Sequence, residues 1–163
     1  MSGVGTETAA DVLEVGMRAG EVKVALPQAF DAGVYFIGRI RTPWTRRSDC
    51  PRRGDPVAGP VCRLEIDLRW AQALEGLVDT PRLQVLYWMH EARRDLVLQS
   101  PGHRGKLAGT FSLRSPVRPN PIASSVVERV GVEGTHVLVR GLDCLDGTPL
   151  LDLKPDVCAH ASA

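Results

Sequence analysis

The sequence predicts an all-β fold, a compact single-sheet antiparallel β-barrel with a few short helices. Apolar residues fall mainly in short runs rich in β-branched and aromatic side chains, which fit a pleated and half-buried surface. Turn residues separate these runs, since the 163-residue chain contains 16 glycines and 12 prolines. Only one segment in the middle of the chain has a helical composition. Many short strands with few helices favour a closed or nearly closed barrel.

Six runs contain period-two elements and are predicted to be strands. They are Val34–Arg41, Val61–Leu68, Leu83–His90, Ser125–Val132, His136–Leu142 and Leu150–Leu153. Glu133-Gly134 separates the fourth run from the fifth, which predicts a hairpin. The segment Arg69–Glu75 is rich in Ala, Leu and Gln and is followed by Gly76, which predicts a short helix.

The chain divides into an arm and a domain. Residues 1–31 show no sustained strand alternation, and we expect a loosely held, partly disordered arm with a short helix near residues 8–18. We assign this arm no chemistry. Residues 32–163 are expected to form one β-barrel domain.

Composition narrows the class of protein. With 44% hydrophobic and 24% charged residues, the chain can bury a sizeable core. It has no apolar run of the ~18 residues that a spanning helix needs, and no N-terminal basic segment followed by an apolar one. We therefore expect a cytoplasmic protein. The four cysteines (Cys50, Cys62, Cys144 and Cys158) are too widely spaced for a paired metal-ligand motif, so we expect reduced, non-catalytic thiols and no metal site.

Positive charge is concentrated in two stretches although the net charge is only +1. Residues 39–53 contain six arginines and one acidic residue, and residues 92–118 contain six basic residues and one acidic residue. If the fold brings the two stretches together, they would present a local phosphate-binding face. Ordinary solvated loops explain the same pattern equally well.

The segment 114–122 combines rigidity with polarity. Three prolines, Pro116, Pro119 and Pro121, fix φ and lack an N–H, which predicts a stiff loop and excludes a helix interior or a central strand. Asn120 lies between two of these prolines, so its carboxamide should have a fixed orientation. Rigid polar loops commonly carry function.

Two long blocks of the sequence, Gly109–Ile122 and Leu142–Pro155, resemble the signature blocks of the TsaA-like, or TrmO, family of S-adenosylmethionine-dependent tRNA methyltransferases. Weaker similarity at Ile37–Pro43, Pro51–Gly54 and Leu86–His90 extends the resemblance over residues 34–156. The resemblance implies a β-barrel unrelated to Rossmann-type methyltransferases, a homodimer, and S-adenosylmethionine as the cofactor. It also implies tRNA as the partner, with methylation of N6 of threonylcarbamoyladenosine next to the anticodon.

The resemblance also implies the residues of the site. Those that match its cofactor-binding segments are Arg53, Gly54, Asp55, His90, Glu91, Arg114, Leu142, Asp143 and Asp146. Structural alternatives exist for several of them: His90 as a residue at a strand end, Asp146-Gly147 as a turn, and Arg114 as an ion-pair partner of the carboxylates.

Methyl transfer from a sulfonium needs alignment more than strong acid–base chemistry. The acceptor nitrogen must nevertheless lose a proton, so we expect Asp146 or Asn120 to assist catalysis. Arg118 and Lys154 are expected to bind the substrate, and Tyr87 or its neighbour Trp88 to stack on a base.

Two other functions remain open for this sequence. One is a methyltransferase of the same fold that acts on a small molecule, and the other is an S-adenosylmethionine-binding protein without catalysis. Many family members carry a further C-terminal domain thought to aid tRNA binding, whereas this chain ends soon after Pro155. We therefore expect cofactor binding to be better supported than the tRNA substrate.

Overall fold

The structure, a computed structural model, describes residues 15–102 and 105–157. Its strands are β1 (Val22–Lys23), β2 (Gly38–Arg41), β3 (Cys62–Ile66), β4 (Arg82–Trp88), β5 (Leu96–Gln99), β6 (Ala108–Gly109), β7 (Ile122–Glu133), β8 (His136–Arg140) and β9 (Thr148–Pro155). The helices in this part of the chain are short 3₁₀ helices at Arg47–Asp49, Leu68–Leu74, Leu77–Asp79 and Thr110–Ser112. None of the helices that the structure describes has the length and apolar character needed to span a bilayer.

The described residues form two compact units. The larger takes Pro27–Ala92 with the residues from Asn120 onward, and it contains a closed barrel with the strand order β2-β3-β8-β7-β4-β9. The smaller takes the residues up to Leu26 with Arg93–Pro119, and it contains a three-stranded sheet with the order β1-β5-β6. The predicted all-β fold with an antiparallel barrel and few short helices is confirmed.

Alternation of side chains builds the core of the barrel. Along β4 every second residue is buried, and Leu83 and Val85 are fully covered. Inward side chains of the neighbouring strands, such as Val127, Val137 and Leu150, complete the same apolar cluster. Burial of each such side chain stabilises the fold by about 1.5–3 kcal/mol. All six predicted strands correspond in order to the six barrel strands.

Antiparallel pairing around the whole barrel gives its two ends different loops. Because neighbouring strands run in opposite directions, the chain leaves β2, β4 and β8 and enters β3, β7 and β9 at one end. We call this the loop end; it carries residues 42–61, 89–92, 120–121 and 141–147. The opposite end, the hairpin end, carries the predicted β7–β8 hairpin and residues 67–81.

The strand limits differ from the prediction where a neighbour is missing. Residues 34–37 were predicted to extend β2, but Gly38 already pairs with Ile66, the last residue of β3. The 3₁₀ helix at Leu68–Leu74 follows directly, so residues before Gly38 have no β3 residue to pair with. Tyr35 is 81% exposed as a result.

The helix prediction is confirmed in position but not in type, because Leu68–Leu74 is a 3₁₀ helix. No local sequence pattern indicates β1, β5 and β6, which contain only two to four residues each. Most of the helix predicted near residues 8–18 and Cys158 lie outside the described residues, and residues 15 and 16 form a turn.

Candidate functional site

The loop end collects predicted site residues from four separate segments of the larger unit. The β2–β3 loop contributes Arg53, Gly54 and Asp55, and the segment after β4 contributes His90 and Glu91. The segment before β7 contributes Asn120, and the β8–β9 turn contributes Leu142, Asp143 and Asp146. Strand direction alone places these segments at the same end of the barrel. The topology thus brings to one end of the barrel the segments that the sequence blocks predict to form the site.

Hydrogen bonds attach the β8–β9 turn to the chain that leaves β2. The Thr42 N–H donates to Asp146 Oδ1 at 3.1 Å, and the Thr42 hydroxyl donates to the Cys144 carbonyl at 2.9 Å. In return, the Asp146 N–H donates to the Trp44 carbonyl at 2.7 Å. These reciprocal bonds fix the turn relative to the barrel wall.

Both carboxylate oxygens of Asp146 have partners within the protein. Oδ2 lies 3.4 Å from a guanidinium nitrogen of Arg41, which also pairs with Glu65 at 2.9 Å. The carboxylate of Asp146 is therefore held between the start of the β2–β3 loop and the end of β2. This geometry gives Asp146 a structural task in the turn, and its predicted catalytic role stays a prediction.

Asp143 belongs to a second polar group, which reaches into the barrel. The Tyr87 hydroxyl donates to Asp143 Oδ1 at 2.9 Å and lies 2.9 Å from the Ser125 hydroxyl. Burial, followed by the charge of Asp143, raises the pKa of the Tyr87 phenol well above its usual value, so the phenol keeps its proton. Because an ionised carboxylate can only accept hydrogen bonds, the O–H of Tyr87 donates to Asp143. The Ser125 hydroxyl then donates to the Tyr87 oxygen.

This arrangement corrects the prediction that Tyr87 stacks on a base. Its side chain is 2% exposed and belongs to the core, so neither ring face is available to a ligand. Trp88 points to the other side of β4, where its ring lies 6.4 Å from that of Phe36. Tyr87 therefore forms a hydrogen bond with Asp143 and does not stack on a base.

Gly54 makes the close approach that its sequence context predicts, but to the protein's own backbone. A Cβ added at Gly54 would lie 1.9 Å from the Gly141 carbonyl oxygen and 2.9 Å from the Leu142 nitrogen. Gly141 itself has a φ of 114°, which only glycine adopts readily. The β2–β3 loop thus packs directly on the β8–β9 turn, and the predicted approach of Gly54 to a ligand is replaced by this contact.

Three other predicted residues have clear local surroundings. Asp55 accepts the N–H groups of Val57 and Ala58 at 2.8 and 2.9 Å, and these bonds, that of Ala58 first, lower the pKa of its carboxyl. Asp55 thus stabilises its own turn. Leu142 is 1% exposed and packs in the core. Arg53 is exposed on the loop.

His90 and Asn120 lie in segments that are joined by their backbones. Both side chains are exposed, and His90 Nε2 lies 3.9 Å from a carboxylate oxygen of Glu91. The Met89 N–H donates to the Pro121 carbonyl at 2.8 Å, and the Ile122 N–H donates to the Asn120 carbonyl at 2.7 Å. The backbone around Asn120 is therefore held as the flanking prolines predict.

The remaining predicted residues lie in the smaller unit or on β9. Arg114 and Arg118 belong to the smaller unit. Lys154 pairs with Gln84 near the start of β4, which places it at the hairpin end, and its ammonium lies 2.9 Å from Asp152. This placement separates Lys154 from the predicted site residues at the loop end, because β9 runs from one end of the barrel to the other.

The cysteines of the described residues are free thiols. Burial raises the pKa of Cys62 to about 11 and that of Cys144 to about 12. The pKa of Cys50 is also raised, by burial and then by Asp143 and Asp49. Thiols that keep their protons are poor nucleophiles and poor metal ligands. No group of three or more metal-ligating side chains occurs among the described residues.

Sequence reasoning missed Thr42 and Ser125. Neither belongs to a recognisable motif, and the role of Thr42 depends on the β8–β9 turn about 100 residues away. Ser125 could have been found, because it shares the inward face of β7 with Val127 and faces Tyr87 rather than solvent.

The larger unit is a closed antiparallel β-barrel domain with the carboxylates of Asp55, Asp143 and Asp146 at its loop end. Comparison with known proteins identifies its family. The model of the tRNA-methyltransferase O N-terminal domain matches residues 39–160. The chain belongs to this family.

Relatives and solved structures agree with this membership. A probable S-adenosyl-L-methionine-binding protein, VirR of Rhizobium radiobacter, is 57% identical over 140 residues, 86% of this chain and 79% of that protein. A putative S-adenosylmethionine-dependent methyltransferase, RcsF of Pseudomonas aeruginosa, is 36% identical over 129 residues, 74% of this chain and 55% of that protein. The crystal structure of TrmO from Pseudomonas aeruginosa has a TM-score of 0.64 and 31% identity over 82% of this chain. This chain spans 60% of that TrmO chain.

The contact at Gly54 leads to a testable expectation. Gly54→Ala should lower the free energy of unfolding by about 1–3 kcal/mol, because the added methyl group overlaps the Gly141 carbonyl and the two loops must separate. Gly33→Ala is the matched control, since a Cβ at Gly33 meets nothing within 4 Å; it should change stability by less than about 0.5 kcal/mol. Urea denaturation of both variants measures the difference. Equal stabilities would show that the loops do not pack as described.

Proposed function

We propose that this protein is an S-adenosylmethionine-dependent methyltransferase that methylates N6 of threonylcarbamoyladenosine in the anticodon loop of tRNA. Membership of the tRNA-methyltransferase O family carries the proposal. The names of its relatives, as an S-adenosylmethionine-binding protein and as a methyltransferase, support it. Access to tRNA implies a cytoplasmic location.

The chemistry of the loop end suits this cofactor. S-adenosylmethionine supplies a methyl group on a positively charged sulfur and carries ribose hydroxyls and an ammonium group that need acceptors. An ionised carboxylate has about four acceptor positions, and the bond from Tyr87 uses one of those on Asp143. Asp143, the backbone of Leu142, Arg53 and His90 would hold the cofactor. The bond from Tyr87 limits the rotation of the Asp143 carboxylate.

Asn120 orients the nitrogen that accepts the methyl group. Its side chain is exposed and its backbone is held by bonds on both sides of Pro121. A donor or acceptor that is already oriented before the reaction costs little reorganisation when charge develops. Asp146, whose carboxylate is engaged with Thr42 and Arg41, maintains the turn that carries Asp143.

The β2–β3 loop offers the surface for the RNA phosphates. Arg46, Arg47, Arg52 and Arg53 are exposed on it, and Asp49 pairs with only one of them, Arg46, at 3.1 Å. The second basic stretch contributes less, because Arg93 forms two bonds with Asp95 at 2.8 and 2.9 Å. The phosphate-binding role therefore falls mainly on the β2–β3 loop.

Exposed aromatic residues support the homodimer that the resemblance implies. Phe30 and Tyr35 are 78% and 81% exposed, and Leu68 is 82% exposed. Exposed apolar surface can form an interaction site, and the proposed occupant is a second copy of the chain. Sedimentation should give a dimer that Tyr35→Glu weakens; a monomeric parent protein would exclude this assembly.

Transfer to tRNA is tested directly. The protein, labelled S-adenosylmethionine and total tRNA from a strain lacking the homologue are incubated together, and the nucleosides are analysed by mass. We expect the label in methylated threonylcarbamoyladenosine. Label in a small molecule from cell extract, with none in tRNA, would favour the small-molecule methyltransferase, and cofactor binding without any transfer would favour a non-catalytic binding protein.

Charge reversal tests the RNA surface. Arg46→Glu with Arg47→Glu should weaken tRNA binding and reduce its salt dependence, because each lost phosphate contact removes about one unit from the slope of log affinity against log salt. Cofactor affinity should stay the same.

Arg69→Glu with Lys154→Glu is the matched control for this experiment. Both residues are exposed and lie at the hairpin end, and the pair changes the net charge by the same amount. Filter binding over a series of salt concentrations measures both double variants. Equal losses in the two would point to overall charge instead of a defined surface.

The bond between Tyr87 and Asp143 gives an expectation for cofactor binding. Tyr87→Phe keeps the ring but removes the donor, so we expect about tenfold weaker binding of S-adenosylmethionine, in line with a hydrogen bond to a charged group. Ser125→Ala is the control, because it removes the bond to the Tyr87 oxygen and leaves the one to Asp143. Calorimetric titration compares the variants. Parental affinity in Tyr87→Phe would remove Asp143 from the cofactor site.

A further inference from the structure

Phe111 lies on a short turn of the smaller unit and is 82% exposed, more than any other aromatic residue in the described part of the chain. It is the middle residue of the 3₁₀ helix Thr110–Ser112. Single exposed apolar side chains are common on protein surfaces, so exposure alone gives Phe111 no task. Two further features distinguish it: the fixed turn that carries it and the charge of the segment around it.

Hydrogen bonds fix this turn from the inside of the unit. Thr110, the residue before Phe111, is 3% exposed. Its hydroxyl donates to the Leu96 carbonyl at 2.7 Å and accepts from Gln99 Nε2 at 2.7 Å, and its carbonyl accepts from the Leu113 N–H at 3.1 Å. Because the Thr110 side chain is held inside the unit, the turn presents the next side chain at the surface.

The proline-rich loop that follows the turn, residues 113–119, is held as well. A guanidinium nitrogen of Arg118 donates to the carbonyls of Leu113 and Ser115 at 3.0 and 3.1 Å, and Gln99 Nε2 donates to that of Val117 at 2.7 Å. The turn is therefore fixed on both sides. An aromatic ring on a fixed turn loses little conformational freedom when a ligand covers it.

Positive charge surrounds Phe111 along the chain. Residues 93–119 contain six basic residues and one acidic residue, Asp95. Asp95 accepts from Arg93 with both carboxylate oxygens, at 2.8 and 2.9 Å, and the segment as a whole has a net positive charge. Lys106 and Arg114 are both exposed. Arg114 is three residues from Phe111, so their Cα atoms are no more than about 11 Å apart.

An exposed aromatic ring in a basic segment suits single-stranded nucleic acid. An unpaired base can stack on the ring while lysines and arginines neutralise the phosphates of its strand. The bases of a duplex already stack on one another and leave no face for the ring. A second copy of the chain fits this surface less well, because a two-fold interface places the same patch on both subunits and would bring like charges together.

We propose that Phe111 is a stacking platform for one unpaired base of an RNA strand, with the basic residues around it facing the phosphates of that strand. The anticodon loop of tRNA supplies unpaired bases, and the choice of tRNA as this RNA rests on the proposed function. Phe111 contributes to the affinity for unpaired RNA and takes no part in methyl transfer itself.

Substitution of the ring tests stacking in the full-length protein. Phe111→Leu keeps an apolar side chain but loses the ring, so binding of an unmodified anticodon stem–loop RNA should weaken about tenfold, the loss of one base–aromatic stack. Binding of a duplex RNA of the same length should stay within about twofold of the parent. The slope of log affinity against log salt should not change, because no charge is removed. Filter binding over a series of salt concentrations measures all three quantities.

Two further variants serve as controls. Phe111→Trp keeps an aromatic ring and should bind the stem–loop at least as tightly as the parent, and the stem–loop, but not the duplex, should quench the fluorescence of the added indole. Phe30→Leu makes the same change as Phe111→Leu at a phenylalanine of the larger unit that is 78% exposed. It should bind both RNAs like the parent.

Parental affinity in Phe111→Leu, equal losses for stem–loop and duplex, or no RNA binding by the parent would overturn the inference. Sedimentation that gives a dimer for the parent and a monomer for Phe111→Leu would also overturn it, by assigning the ring to a protein interface. A parent that methylates tRNA while Phe111→Leu binds the stem–loop equally well would overturn the inference alone. A parent that transfers no methyl group to tRNA, but whose stem–loop binding needs the ring, would overturn the proposed function alone.

Discussion

The attachment of the β8–β9 turn to the end of β2 is the interaction on which the candidate site depends. Thr42 donates from its N–H to Asp146 and from its hydroxyl to the Cys144 carbonyl, and the Asp146 N–H donates to the Trp44 carbonyl. The turn also carries Asp143 and receives the β2–β3 loop at Gly141. A shift of this turn would therefore displace a carboxylate and two loops together. Closure of the barrel makes the attachment firm, because β9 leaves the turn between β2 and β4.

Two kinds of polar residue cooperate at this end of the barrel. The carboxylates of Asp146 and Asp55 accept hydrogen bonds from backbone N–H groups of the β2–β3 loop, so these two residues stabilise the loop conformation. Asp143 is held by a single donor from the core, the Tyr87 hydroxyl, and it has acceptor positions left for a ligand. The same division recurs in the smaller unit, where Arg118 and Gln99 shape the proline-rich loop and Arg114 is exposed. In both units, residues that a motif groups together perform different tasks.

The strand pattern was predictable because inward and outward side chains alternate in a barrel wall, as in β4. The strands β1 and β5 could not be predicted, since their pairing joins Val22 to Leu98 and leaves no local pattern in such short segments. The segments of the candidate site were predicted from the two long blocks and the weaker matches at Pro51–Gly54 and Leu86–His90, but the contacts of single residues could not be predicted. Lys154 shares a block with Asp143, yet it lies near the end of β9 (Thr148–Pro155). The part of β9 from Thr148 to Lys154 spans about 20 Å at ~3.3 Å per residue, which places Lys154 at the opposite end of the barrel. Tyr87 and Trp88 are adjacent aromatic residues on β4, and the register of this strand determines which of the two faces the core.

Hydrogen exchange with and without S-adenosylhomocysteine, the demethylated product of the proposed cofactor, tests most directly whether the loop end is the functional end of the barrel. Binding should slow exchange in peptides that cover residues 42–56 and 141–147, because a bound ligand suppresses local opening of the segments it contacts. Peptides that cover Leu68–Leu74 and the β7–β8 hairpin at the hairpin end should exchange as before. Slower exchange confined to the hairpin end, with residues 141–147 unaffected, would contradict the assignment of the site.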